Sequence, residues 1–215
     1  MNLKTPKIVR ISHHSSESML DHFLRLKLED RRLRFGMSVS EEYIRKYVEG
    51  INFKRDTLYA IFDSQLRIVA CSHLGIVDNS AELGLSVDTE FRSQGYGMAL
   101  FERAIVAVKS KAIDQIYMVC LAENRPIMNM AKKLKMKVVT QYGDADAHLN
   151  IHAEPMEVFE NTIQEKVLNG LALWDLALNK VPMKLVSDYC GILGMSITPV
   201  GHILTGETLN GQSKD

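Results

Sequence analysis

A change of hydrophobic period across one short glycine loop constrains this chain most. Ala81 to Val87 (AELGLSV) alternates, with Leu83, Leu85 and Val87 on one face, and reads as a strand. Phe91 to Gly97 follows as a loop, and from Met98 to Val108 apolar residues recur at helical spacing. Such a junction leaves the first amides of the helix without partners, and the helix dipole adds partial positive charge there. In Arg92-Ser93-Gln94-Gly95-Tyr96-Gly97 the glycines remove side chains, so the main chain can approach an anion and adopt positive φ. Arg92 adds a full charge. The segment predicts a pyrophosphate site. It is not a P-loop, because no Gly-Lys-Ser/Thr follows, and it lacks the GxGxxG dinucleotide pattern.

The rest of the chain supplies elements around this unit. Lys7 to Ser12 alternates as a first strand, and Ser15-Ser16 starts a helix reaching Leu28. A charged stretch with Gly36 follows. Ser40 then opens a helix that stops at Gly50. Thr57 to Phe62 and Leu66 to Val77 flank a short polar link and read as a hairpin. Gln115 to Leu121 reads as a central strand, and Pro126 suits the first turn of a helix reaching Leu134. Val138 to Tyr142 and Ala147 to Ile151 form a closing hairpin around Gly143-Asp144. Past Pro155, apolar residues from Phe159 to Leu178 step by three or four, an amphipathic helix of more than twenty residues. A shorter apolar segment follows Pro182. The expected organisation is a domain over 1–153, a C-terminal helical extension over 154–204, and a disordered tail over 205–215.

Composition narrows the function classes. The 215 residues carry 26 Lys and Arg against 26 Asp and Glu, so no net field draws the protein to nucleic acid or an anionic membrane. No apolar run is long enough to span a membrane. Cys71, Cys120 and Cys190 lack metal-ligand or disulfide spacing, so no metal is expected. Cys71 reads as a small buried hydrophobe. A cytoplasmic protein is the plain reading.

Element order adds specificity to the glycine loop. A strand with Ala81-Glu82, the RxxGxG loop, a helix, a strand ending in Ala122-Glu123-Asn124, and a helix with Ala131 and Leu134 follow in turn. This order resembles the GNAT N-acetyltransferase superfamily over roughly the first 150 residues. The stretch LRLKLEDRRLRFGM also looks like a subgroup of bacterial GNAT proteins. The resemblance implies a mixed α/β (α+β) fold: a twisted, largely antiparallel sheet of six or seven strands flanked by helices. It implies that two strands splay apart around the pantetheine arm of acetyl-CoA, the co-substrate. Arg92, Ser93, Gln94, Gly95, Tyr96, Gly97 and Met98 would then hold the pyrophosphate. Leu85 and Val87 would bond the pantetheine through their main chain, one amide polarising the thioester carbonyl. Asn124 would bond the pantetheine or the thiol region.

The implied reaction is direct attack of an acceptor amine on the thioester. A lysine-like amine is neutral in only about one molecule in 2,500 at pH 7, a deficit of about 4.6 kcal/mol. A base is therefore needed. Glu82, on the strand where family members carry a glutamate, is the first candidate, and burial among its apolar neighbours would raise its pKa. A solvent-facing or ion-paired glutamate is the alternative. His73 is a second candidate, against a satisfied core histidine. His13 and His14 read as surface residues. The family's usual tyrosine acid corresponds to Ala131 here, which leaves a non-catalytic acyl-CoA sensor as a second function class. The acceptor class stays open. The long helix packs on its own domain or forms a homodimer interface.

Overall fold

The computed structural model describes residues 6–152, 154–180, 196–197 and 203–204, with side chains for 6–152 and 154–174. Two compact units divide the chain, Met1–Gly170 and Leu171–Asp215. The second contains the end of helix α6 (Pro155–Lys180) and two short antiparallel strands, β8 (Ser196–Ile197) and β9 (Ile203–Leu204). The segment directly after Pro182, Cys190 and the 205–215 tail lie outside the described residues.

The first unit is a seven-stranded sheet in the order β1-β2-β3-β4-β5-β7-β6. Its strands are β1 (Ile8–Ile11), β2 (Thr57–Phe62), β3 (Ile68–Val77), β4 (Ser80–Val87), β5 (Gln115–Leu121), β6 (Lys137–Gln141) and β7 (Asp144–Asn150). Every neighbouring pair is antiparallel except β4 and β5. This is the mixed, largely antiparallel sheet flanked by helices that the resemblance implied. Turn chemistry sets its register. Asp63 Oδ1 accepts from the Gln65 and Arg67 amides, each at 2.9 Å, which closes the β2–β3 hairpin. Tyr142 and Gly143 have φ of 51° and 94°, the left-handed pair a two-residue hairpin requires between β6 and β7.

The two faces of the sheet bury different helices. On one, Tyr59, Ile61, Leu83, Ile116 and Met118 pack with Leu100, Phe101 and Ala104 of α4 (Tyr96–Ser110) and Ala131 of α5 (Arg125–Lys133). On the other, Leu58, Ala60, Ile68 and Cys71 meet Met19 and Phe23 of α1 (Ser16–Arg25) and Ile44 and Val48 of α3 (Glu41–Glu49). Alternation divides the β2 residues this way, and a bulge opposite Ile61 and Phe62 brings Ile68 to the same side as Cys71 on β3.

Helix α2 (Leu28–Phe35) departs from the expectation of an irregular charged stretch. Glu29 and Asp30 sit in its first turn, and Gly36 ends it at φ 73°. Helix α4 also begins earlier than expected, at Tyr96 instead of Met98.

Cys71 is buried as expected, but in a polar cluster. His22 Nε2 lies 2.8 Å from Ser86 Oγ, and Ser86 Oγ lies 3.3 Å from Cys71 Sγ. His22 Nδ1 lies 3.0 Å from Asp88 Oδ1 and 3.1 Å from the Ile68 carbonyl. Burial opposes charge on His22, but Cys71 and Asp88 outweigh it and push its pKa up to about 9.

Candidate coenzyme A wedge and acceptor pocket

Strands β4 and β5 pair only at Ser80–Gln115, Ala81–Ile116 and Glu82–Tyr117. Beyond that point, Leu83–Val87 and Met118–Leu121 diverge, although each strand keeps its outer partner, β3 or β7. Hydrogen-bond alternation decides what faces the gap. The Asp88 amide donates to the opposite Val69 carbonyl at 2.8 Å, so that pair is hydrogen-bonded. Stepping back by two along an antiparallel ladder, the amides of Ser86 and Gly84 also face β3. Those of Val87, Leu85 and Leu83 therefore face the gap. Arg92 Nε, 3.4 Å from the Val87 carbonyl, agrees with this orientation.

At the wide end of the gap lies the glycine loop. Ser93 and Gly95 have φ of 61° and 82°, with Gln94 between them. Left-handed residues in such a sequence turn successive amides toward one point. Gly95 is the N-cap of α4, so Tyr96, Gly97 and Met98 form the first turn, whose amides have no partner within the helix. A Cβ on Gly95 would meet nothing within 4 Å, so its need for glycine is conformational. Gly97 differs: a Cβ there would lie 3.1 Å from Met130 Cε, so the residue lets α5 approach α4. Tyr96 stacks on Phe91 with ring centroids 6.4 Å apart.

Two cavities meet along the gap. One of about 690 Å³ is lined by Leu85, Val87, the whole Arg92–Met98 loop, Arg125 and Lys133. The other, about 340 Å³, is lined by Phe35, Tyr43, Tyr47, Glu82, Cys120 and Asp144 among others. Leu33, Arg34, Leu85, Asn124 and Ile127 border both, and so mark their junction. The ten proposed cofactor residues all line the larger cavity, and Glu82 lines the smaller.

Several side chains act differently from expectation. Arg92 Nη2 is 2.6 Å from Asp30 Oδ1, and Thr89 Oγ1 donates to Asp30 Oδ2 at 2.9 Å. Asp30 thus ties the loop to α2, and its carboxylate offsets the charge Arg92 was expected to bring to the phosphates. Asn124 Oδ1 caps α5 by accepting from the Ile127 amide at 3.3 Å, and its Nδ2 donates to the Leu33 carbonyl at 3.2 Å. Its first task is therefore to join α2 and α5 across the mouth of the wedge. Glu82 is exposed and not buried among its apolar neighbours. Tyr117 bonds Glu82; burial and that carboxylate raise the phenol's pKa. Ala131 is fully buried and lines neither cavity. Exposed His13 and His14 form a short turn before α1.

His73 is neither isolated nor a simple core residue. Tyr47 Oη lies 2.6 Å from its Nδ1, and Asp56 Oδ2 lies 3.2 Å from its Nε2. Arg34 Nη2 donates to Tyr47 Oη at 2.8 Å. Arg34 also lies over the Phe35 ring at 5.1 Å and covers Gly84, where an added Cβ would collide with its guanidinium. Arg34, Asp30 and Tyr47 were missed in the sequence. The first-turn acids and Gly36 mark their helix α2, and Tyr47 stands one turn from Ile44 on the amphipathic α3.

Residues 23–136, more than half of the chain, match the Acetyltransferase (GNAT) family. The protein belongs to the GNAT family. No curated protein sequence matches it. Among solved structures, the GNAT domain of S. lividans PAT is similar with TM-score 0.58 and 13% identity, over 67% of this chain and 89% of that one. The PaiA N-acetyltransferase from Thermoplasma acidophilum, in complex with coenzyme A, is similar with TM-score 0.54 and 19% identity, over 69% and 100% of the two chains. A phosphinothricin acetyltransferase (Pat) from Sinorhizobium meliloti, in complex with AcCoA, gives TM-score 0.54 and 12% identity, over 69% and 89%. At these identities the likeness concerns the fold, and it is the GNAT fold. Among the described residues, no helix of this GNAT protein is long and apolar enough to cross a membrane, and no cluster of three His, Cys, Asp or Glu side chains is placed to hold a metal ion.

Proposed function

We propose that this GNAT protein transfers the acetyl group of acetyl-CoA to an amine by direct attack on the thioester. The free amide edge of β4 carries the reading. It runs from the left-handed glycine cradle, past Val87 and Leu85, to a second cavity holding a carboxylate. Family membership supports acyl transfer in general, and two similar folds bind coenzyme A or AcCoA. The cradle suits a diphosphate because left-handed residues and the start of α4 leave amides without partners there, and the space beside Gly95 is open. The main chain of Leu85 and Val87 would pair with an amide-bearing arm as a missing strand does, and one amide would hold the thioester oxygen as charge develops there.

Glu82 is the proposed group for removing the ammonium proton from the acceptor. Exposure keeps it ready to exchange that proton with water. Tyr47 and Glu82 in the smaller cavity favour catalysis over a sensor that only binds, since a sensor needs no proton-transfer groups beside the thioester. The decisive measurement is thiol release from acetyl-CoA across small amines, amino acids, polyamines and peptide N-termini and lysines. Turnover with one class is expected, together with a fall in kcat/KM of about 10²-fold or more in Glu82→Gln. Tight acetyl-CoA binding without turnover on any class would leave the sensor reading standing instead.

A further inference from the structure

We propose that Tyr47 takes the proton that the attacking amine releases as the C–N bond forms, while handing its own phenolic proton to His73. The inference rests on the acetyl-transfer reading above and assigns that site a second proton carrier.

Three observations lead to it. First, Ala131, the α5 position that the resemblance pairs with the family's usual tyrosine, is buried and lines neither cavity. Second, Tyr47 reaches the smaller cavity from the opposite side of the wedge, on α3, beside the Arg34 that borders both cavities. Third, the hydrogen bonds behind Tyr47 run in one direction. Arg34 has only N–H groups, so the phenol oxygen accepts from it, and the phenol proton points to His73 Nδ1. His73 then carries its proton on Nε2 and donates to Asp56 Oδ2. One lone pair of Tyr47 Oη is left for a substrate N–H.

The surroundings suit a transient charge on His73. Burial lowers its pKa and Arg34 and Arg55 oppose charge as well, so the ring is neutral at pH 7 and free to accept at Nδ1; only Asp56 pulls the other way. Burial works against the Asp56 carboxylate, but the bonds from Arg55 and His73 outweigh it and keep it ionised. Burial likewise raises the Tyr47 pKa, with Arg34 opposing and Cys71 and Glu82 adding to the rise, so the phenol stays protonated until a proton arrives. Asp56 is therefore a positioning residue for His73, and it balances the imidazolium as that forms.

The step balances. The neutral amine nitrogen bonds to the thioester carbon, and its N–H proton passes to Tyr47 Oη as the phenolic proton passes to His73 Nδ1. The C–S bond then breaks, and its electron pair leaves on the thiolate of coenzyme A. The proton on His73 returns through Tyr47 to that thiolate or to water.

The test compares wild type, Tyr47→Phe and His73→Gln with acetyl-CoA as donor and two probe amines, propylamine and hydroxylamine. Propylamine forms a strongly basic adduct that must shed its proton to an acceptor. Hydroxylamine forms an acidic one that sheds it to water. Tyr47→Phe is expected to lower kcat/KM for propylamine by about 10²-fold or more. His73→Gln lowers it in the same direction and removes the acid limb of the pH profile below 6.5. Both variants should lose far less on hydroxylamine, with acetyl-CoA Kd by calorimetry within about twofold of wild type. Equal losses on both amines, or no loss, would overturn the relay. If Tyr47→Phe does not fold, His73→Gln decides by the same contrast. Wild-type protein that binds acetyl-CoA yet releases no thiol to these amines or to any class of the acceptor panel would instead overturn the acetyl-transfer reading, and the relay with it.

Discussion

Replacing Gly95 with aspartate is expected to weaken acetyl-CoA binding about thirty- to hundredfold, while replacing it with asparagine changes the Kd by only a few-fold. The site separates charge from shape. Gly95 has φ of 82° and open space where a Cβ would stand. Asparagine and aspartate are the side chains that best tolerate that left-handed backbone, so both variants carry similar strain. They differ by one negative charge beside converging amides. At about 4 Å and an effective dielectric near that of a protein surface, two unit charges repel by about 4 kcal/mol, which salt screening reduces to about 2–3 kcal/mol. Calorimetry with acetyl-CoA reads the difference directly. Equal affinities in the two variants would show that no phosphate sits in the cradle. Lowering the salt should widen the gap between them.

A second large effect is expected in stability, far from the wedge. Glu165 on α6 forms an ion pair with Arg103 of α4, and both side chains are buried. Tyr59 Oη of β2 donates to Glu165 Oε1 at 2.6 Å, and Arg103 lies over the Tyr59 ring at 4.8 Å. Glu165→Leu leaves a buried guanidinium without its carboxylate and a phenol without its acceptor. Removing one partner of a buried pair costs about 3–5 kcal/mol, or about 6–20 °C in melting temperature for a chain of this size. The double variant Arg103→Met with Glu165→Leu should recover most of the loss, because an apolar pair has no charge to leave unpaired. Thermal denaturation of the three variants checks this. A single variant as stable as wild type would mean that water reaches Arg103 and replaces the carboxylate.

Much of the fold was legible because it is local. The β5 strand Gln115–Leu121 agrees with its apolar run to the residue, and α3 is capped by Ser40, whose Oγ accepts from the Tyr43 amide at 3.1 Å. Helix α2 was not legible. Its eight residues LEDRRLRF bury Asp30 and Arg31 instead of an apolar stripe, so hydrophobic period had nothing to report. The cofactor loop was readable for the same local reason as the strands. Positive φ and free amides are properties of a few consecutive residues, and glycine spacing records them.

The chemistry of the side chains was not local, and there tertiary structure decided. Whether Arg92 faces a phosphate or Asp30 depends on where α2 lands, 59 residues from Thr89 by the Thr89–Asp30 bond. Whether Glu82 is buried depends on what covers its strand. The chain Arg34, Tyr47, His73, Asp56 gathers residues from two helices, a strand and a loop, each ordinary in its own segment. The amino-acid sequence by itself determined which segments are strands, helices and a phosphate-type turn, because hydrogen bonds and φ preferences act between near neighbours. Only the folded sheet determined that two parallel strands part after three residue pairs, and which polar groups stand at the opening, because those distances belong to no single segment.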